Sequence, residues 1–120
     1  MDSQAPVVNL DDAFGSFSEV WSPRVVTGVN DYDVKIARGS GDFPEHAHPE
    51  TDEFFLVLAG TLHLDLPDRT VTLHSGDVFT VPRGIPHRPR AEHGTRLLIF
   101  EPRGTVNTGD PATGTVGVPL

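Results

Sequence analysis

Gly41-Asp42-Phe43-Pro44-Glu45-His46-Ala47-His48, with Glu53 and Gly60 behind it, is the stretch on which the reading of this chain turns. On an extended strand, side chains alternate between faces, so His46 and His48 project from one side and bring two imidazoles toward a common point. Alone, such a pair is ordinary, because polar residues at alternate positions of any half-exposed strand look the same. Three features add weight: an acid, Glu53, at the head of an apolar run; Gly60 at its end; and a second cluster, Gly76-x5-Pro82-Arg83-Gly84-Ile85-Pro86-His87, that supplies a third imidazole. Imidazole nitrogens and a carboxylate oxygen are the donors a borderline-soft divalent transition ion takes. An ion that prefers six donors and receives four from the protein keeps two positions for water, oxygen or a bidentate substrate. His46, His48, Glu53 and His87 are therefore the candidate metal ligands.

Working outward, the flanking sequence reads as short strands: Val25 to Gly28, Tyr32 to Ala37, Glu53 to Leu58, Thr61 to Leu66, Thr70 to Leu73, Val78 to Val81 and Arg96 to Phe100. Turn signals separate them at Ala59-Gly60, Pro67-Asp68, Ser75-Gly76-Asp77, Pro82-Arg83-Gly84 and Glu92-His93-Gly94. Eleven prolines and twelve glycines spread along 120 residues suit this pattern and disfavour a helical bundle. The expected fold is all-β, an antiparallel sandwich or barrel, with sequential strand pairing as the economical topology. In front of it, Asn9 and Asp12 resemble a helix start, and Phe14, Phe17 and Trp21 fall on one side of two helical turns until Ser22-Pro23 ends them. The expected layout is a packed N-terminal segment over 1–24, the barrel over 25–102 and a tail over 103–120 that is either an extended strand or partly disordered.

In Phe54-Phe55-Leu56-Val57-Leu58 both parities are apolar, so neither face suits water, and a homodimer is expected to cover one of them. In the next strand Leu62, Leu64 and Leu66 share a face and leave His63 and Asp65 to solvent. His74 and His93 beside turns, and Glu45, Glu50 and Asp52 in the loop after the ligands, read as solvated residues. Phe43, Phe55 and Phe79 read as core, although any of them can wall a cavity if its parity points inward.

A net charge of −8, with nine basic residues that form no run, argues against nucleic acid and anionic membrane as partners and leaves a small molecule. The absence of cysteine excludes disulfides, thiolate nucleophiles and sulfur ligands. Met1-Asp2-Ser3-Gln4-Ala5 lacks the basic and apolar character of a secretory signal, and a cytoplasmic location is expected.

These motifs resemble those of the cupin superfamily, G-x5-H-x-H-x(3,4)-E-x6-G and G-x5-P-x-G-x2-H-x3-N, with Thr61 to Ser75 between them. Two positions depart: four residues instead of five separate Gly41 from His46, and Ala91 stands where the closing asparagine belongs. Trp21-Ser22-Pro23, Asn30-Asp31-Tyr32, Asp52-Glu53-Phe54 and Glu101 to Gly109 further resemble segments of small bacterial single-domain cupins. The resemblance implies a jelly-roll barrel, often dimeric, holding iron, manganese, nickel, cobalt, copper or zinc through three histidines and a glutamate. The implied activity is dioxygenation of a small oxygen-rich metabolite, or Lewis-acid isomerisation, cyclisation or lyase chemistry. The alternative is a non-catalytic module that binds a metabolite or metal. No residue outside the ligand set marks itself as the proton donor or acceptor either enzyme needs.

Overall fold

The computed structural model describes residues 6–120. The reading of Met1 to Ala5 as unlike a secretory signal falls outside the described residues. The N-terminal helix α1 spans only Leu10–Phe14; Asn9 caps it, its Oδ1 accepting from the Asp12 amide at 3.0 Å. Of the short helix or loop expected to carry the aromatic stripe, the helix takes Leu10–Phe14 and the residues from Gly15 to Trp21 are loop. Gly15 closes α1, and Ser16 turns its hydroxyl back onto the Ala13 carbonyl at 2.6 Å, competing with helix continuation. Phe14 and Phe17 still dock together, packed with Ala13 and Ile36 and overlain by the Arg38 guanidinium. Trp21 goes elsewhere.

Eight strands follow: β1 Arg24–Val29, β2 Tyr32–Asp42, β3 Glu53–Ala59, β4 Thr61–Asp65, β5 Thr70–His74, β6 Val78–Val81, β7 Arg88–Pro102 and β8 Val118–Pro119. The expectation of sequential pairing is corrected: only β1 with β2 and β4 with β5 pair as chain neighbours. Instead β7 takes β2 along one edge, and β3 and β4 end to end along the other. The cause is visible at Gly60, the turn between β3 and β4. Its φ of 85° and the closeness of Thr95, whose Oγ1 would stand 2.5 Å from an added Cβ, carry the chain around a corner instead of back in a hairpin. Thr95 fixes the corner, its hydroxyl meeting both the amide and the carbonyl of Thr61 at 3.1 Å. Beside it, β2 shifts register between Gly39 and Gly41, so both long strands bend from one layer into the other. The result is the jelly-roll barrel the motifs implied.

Alternation sorts the residues into two cores. Lys35 and Ala37 on β2, Phe55 and Val57 on β3, and Ile99 and Leu97 on β7 align in the barrel interior. Ile36 faces outward, beneath the N-terminal segment. Phe54, Leu56, Leu98 and Phe100 lie half-buried along the register of β3 and β7. The tail is ordered as turns and a final strand: β8 pairs in parallel with β1, and Asn107 bonds Thr115 through both backbone and side chain. Among the described residues no helix is long and apolar enough to cross a membrane.

Candidate metal centre

The chain brings the four sequence-selected residues together, though not by the strand geometry expected for His46 and His48. Regular β2 ends at Asp42, and residues 43–52 are irregular, because Pro44 and Pro49 cannot donate to a ladder. A two-residue bridge does the positioning: His46 and His87 exchange backbone hydrogen bonds, amide to carbonyl, at 3.0 and 2.8 Å. His48 is anchored by its carbonyl, which accepts from the Gly84 amide at 2.8 Å, where Gly84 sits at a φ of 77°. Asp52 accepts from the Arg83 amide at 2.9 Å and ties the loop before Glu53 to the same Pro-x-Gly turn. The second motif thus works as a bracket for the first.

One ligand atom from each of His46, His48, Glu53 and His87 lies within 4.8 Å of all the others. Glu53 Oε1 stands 3.1 Å from His87 Nε2 and 4.0 Å from His46 Nε2, and Oε2 stands 3.2 Å from His48 Nε2. Each of these side chains is almost fully shut from water. The Nδ1 atoms of His46 and His87 lie 2.8 and 3.1 Å from the carbonyls of Pro44 and Ile85. A carbonyl only accepts, so each Nδ1 carries a proton, and in the neutral ring Nε2 presents its lone pair toward Glu53. The Nε2 atoms of His46 and His48 are buried with no hydrogen-bond partner. Four donors this close together could hold a metal ion. An ion with bonds of about 2.1 Å sets neighbouring donors roughly 3 Å apart and opposite donors about 4 Å apart, which the three separations from Glu53 match.

The electrostatics differ from residue to residue. Burial lowers the His46 pKa, against the Pro44 hydrogen bond, and so favours the neutral ring a metal requires. For His48 burial also pulls downward, but the Glu53 carboxylate 3.2 Å from its Nε2 outweighs it and raises the pKa. For Glu53 burial pushes upward, and the adjacent His48 and His87 imidazoles override it and hold the carboxyl at about 2.

Two residues of the site escaped the sequence reading. Glu101, which is 2% exposed, accepts from Lys35 Nζ at 2.9 Å, and Lys35, fully buried, also donates to the Thr105 carbonyl at 3.2 Å. Burial first, and then the nearby charge of Glu53, push the Glu101 pKa up to about 7 despite Lys35. Such a carboxyl exchanges its proton near neutrality, the capacity no residue had marked. A signal existed: Leu97, Ile99 and Glu101 share one parity of β7, so a core parity for the first two also places the third inside.

Glu101, Glu53 and His46 border a recess whose other walls include Trp21, Phe43 and Phe55. Two of the three phenylalanines read as core therefore wall the cavity, while Phe79 packs against the barrel core. His63, paired with the Thr72 hydroxyl, and His74, beside Asp77, lie away from the cluster, and His93 is exposed. Glu45 and Glu50 are exposed too.

Comparison with known proteins agrees with this geometry. A family model described as Cupin domain matches residues 32–101. YdbB of Bacillus subtilis (strain 168) is 39% identical over 77 residues, which make up 63% of this chain and 68% of that protein. Quercetin 2,3-dioxygenase of the same organism is 43% identical over 75 residues, but they represent only 22% of its length. Among solved structures, a cupin-2 domain containing protein from Shewanella frigidimarina NCIMB 400 is similar at a TM-score of 0.79 and 40% identity, over 81% of this chain and 95% of the other. Hydroquinone 1,2-dioxygenase from Sphingomonas sp. TTNP3, solved with 4-hydroxybenzoate bound, shares the fold at a TM-score of 0.74 and 24% identity, over 91% of this chain and 34% of that one.

Proposed function

The chain belongs to the cupin-domain family, and on that premise we propose that it is a metal-dependent dioxygenase of a small, oxygen-bearing metabolite, with His46, His48, Glu53 and His87 as the ligands of one divalent transition ion. The observation that carries the metal reading is the convergence of buried Nε2 atoms, two of them without any partner, on the Glu53 carboxylate. The likeness to quercetin 2,3-dioxygenase, the more specific of the two dioxygenase matches, supports the choice of reaction. When bound, such an ion would supply a Lewis-acidic, redox-active centre for a chelating substrate and oxygen.

The remaining work falls to the chain. Nδ1–H bonds to the Pro44 and Ile85 carbonyls keep His46 and His87 in the ligating tautomer and orient their rings. Trp21 and Phe43, whose ring centroids lie 5.4 Å apart, wall the recess and limit water there. Glu101 stands beside Glu53 as a carboxyl able to hold a proton released by a substrate hydroxyl, at whichever of its oxygens is free of Lys35. The half-buried row of Phe54, Leu56, Leu98 and Phe100 supports a homodimer; light scattering on the purified protein checks it, a dimer mass being expected.

The test is elemental analysis of protein purified without added metal, followed by oxygen-electrode measurements with quercetin and catechol. About one iron, manganese, nickel, cobalt or copper ion per chain and oxygen uptake on adding either compound are expected. A chain that takes up neither these ions nor zinc refutes the metal site. A loaded chain that leaves oxygen untouched refutes the dioxygenase and moves the reading to Lewis-acid isomerisation or to a binding module.

A further inference from the structure

We propose that the recess selects an uncharged, flat, ring-sized compound carrying three adjacent hydroxyl groups, two directed at the His/Glu cluster and the third at Glu101, which Lys35 clamps in place. The proposal rests on the metal reading for the first two hydroxyls only. The walls supply the argument for a flat ring. Trp21, Phe43, Phe55, Leu97 and Ile99 offer apolar faces, and an aromatic ring that slides among them keeps its own faces apolar and its oxygens at one edge. A sugar ring bears hydroxyls around its whole circumference and would leave most of them unpaired against those walls.

Charge narrows the class further. No lysine or arginine lines the recess, while Glu53 and Glu101 both do. Lys35 is fully buried and already committed to Glu101 and the Thr105 carbonyl. A phosphate would find none of the guanidinium or ammonium donors that normally receive it, and two acids in their place.

The third hydroxyl follows from an unfilled position. Glu101 Oε1 accepts from Lys35, but Oε2 is buried with no hydrogen-bond partner. Asn107, another polar residue of the lining, already spends its Oδ1 on the Thr115 amide at 2.8 Å. With His46 Nε2 assigned to the ion, Glu101 Oε2 is the buried acceptor of the lining left without a partner, and its place in the wall with Glu53 suits an oxygen adjacent to the chelating pair.

Trp21 is the sole tryptophan of the chain and stands in the recess wall, so its fluorescence reports occupancy without any turnover. Zinc-loaded and metal-free protein are titrated, with oxygen excluded, with catechol, pyrogallol and glucose 6-phosphate. Pyrogallol is expected to bind on the order of tenfold more tightly than catechol to the unaltered protein, and equally with catechol to Glu101→Gln, the scale of one hydrogen bond to a buried polar group. Glucose 6-phosphate is expected to leave the signal unchanged. Tighter binding of the sugar phosphate than of catechol, or the same pyrogallol preference with and without Glu101, overturns the proposal. If Glu101→Gln does not fold, the order of the three compounds on the unaltered protein decides, and equal binding of catechol and pyrogallol refutes it. Failure to take up zinc sinks the metal reading separately, because the pyrogallol preference is then read on the metal-free chain.

Discussion

The two ends of the barrel are built from the same strands and have opposite chemistry. On β3 the inward residues run Glu53, Phe55, Val57, and on β7 they run Glu101, Ile99, Leu97. On β2, Lys35 is followed by Ala37. Each begins with a buried charge at the cluster end and passes within two or four residues into aliphatic packing against Leu62, Leu64 and Leu73. A dry, close-packed end supplies the stability that a half-satisfied polar end cannot, so function is concentrated where burial is least favourable. If that division holds, the ends should fail independently.

The largest effect is expected from His48→Ala: loss of one of four ligands should cut metal affinity by more than about 100-fold, read by elemental analysis, while the circular dichroism spectrum stays that of the barrel. Collapse of the fold would show that the two ends are not separable. Next, Leu64→Ala at the dry end should cost about 2–5 kcal/mol in denaturant unfolding and leave metal content unchanged. Third, Glu101 sharpens the contrast through pH. Its folded pKa of about 7 lies above the ordinary 4.5, so it binds its proton more tightly when folded. The stability it contributes is present below about pH 4.5 and is lost as pH rises through about 7. Metal-free protein should therefore lose melting temperature over that window, and Glu101→Gln should flatten the decline; an unchanged slope would remove Glu101 as its cause. The smallest effect is expected from His63→Ala, outside both ends, with a stability change under about 0.5 kcal/mol and full metal content.

Much of this arrangement was legible in the residues. Val78–Val81 matches its expected bounds, and the starts of β2 to β5 fall at the expected residues, because Gly, Pro and Asp at their margins leave few places for a strand to begin. The four residues of the cluster were legible from donor type and spacing. What was not legible required knowing what lies opposite. Arg88 to Glu92 looks polar and turn-like, yet it is the first half of β7, where Arg88 and Arg90 reach across to Asp65. Lys35 sits between the apolar Val34 and Ile36 and so reads as the solvent parity of its strand. It is interior because both faces of β2 are covered, and the outer one by Phe14 and Phe17. Local alternation reports that a strand has two faces; only tertiary packing decides whether either sees water.

Strand β7 has a consequence for how the protein is made. It is the shared partner of β2, β3 and β4, and it lies at residues 88–102 of the chain. A nascent chain that has not yet reached it carries three strands with unsatisfied edges and an exposed aliphatic lining, the combination that invites pairing with other copies. Closure then waits for β7 and comes in one cooperative step, which favours slow folding and makes chaperone protection most useful until β7 has been made.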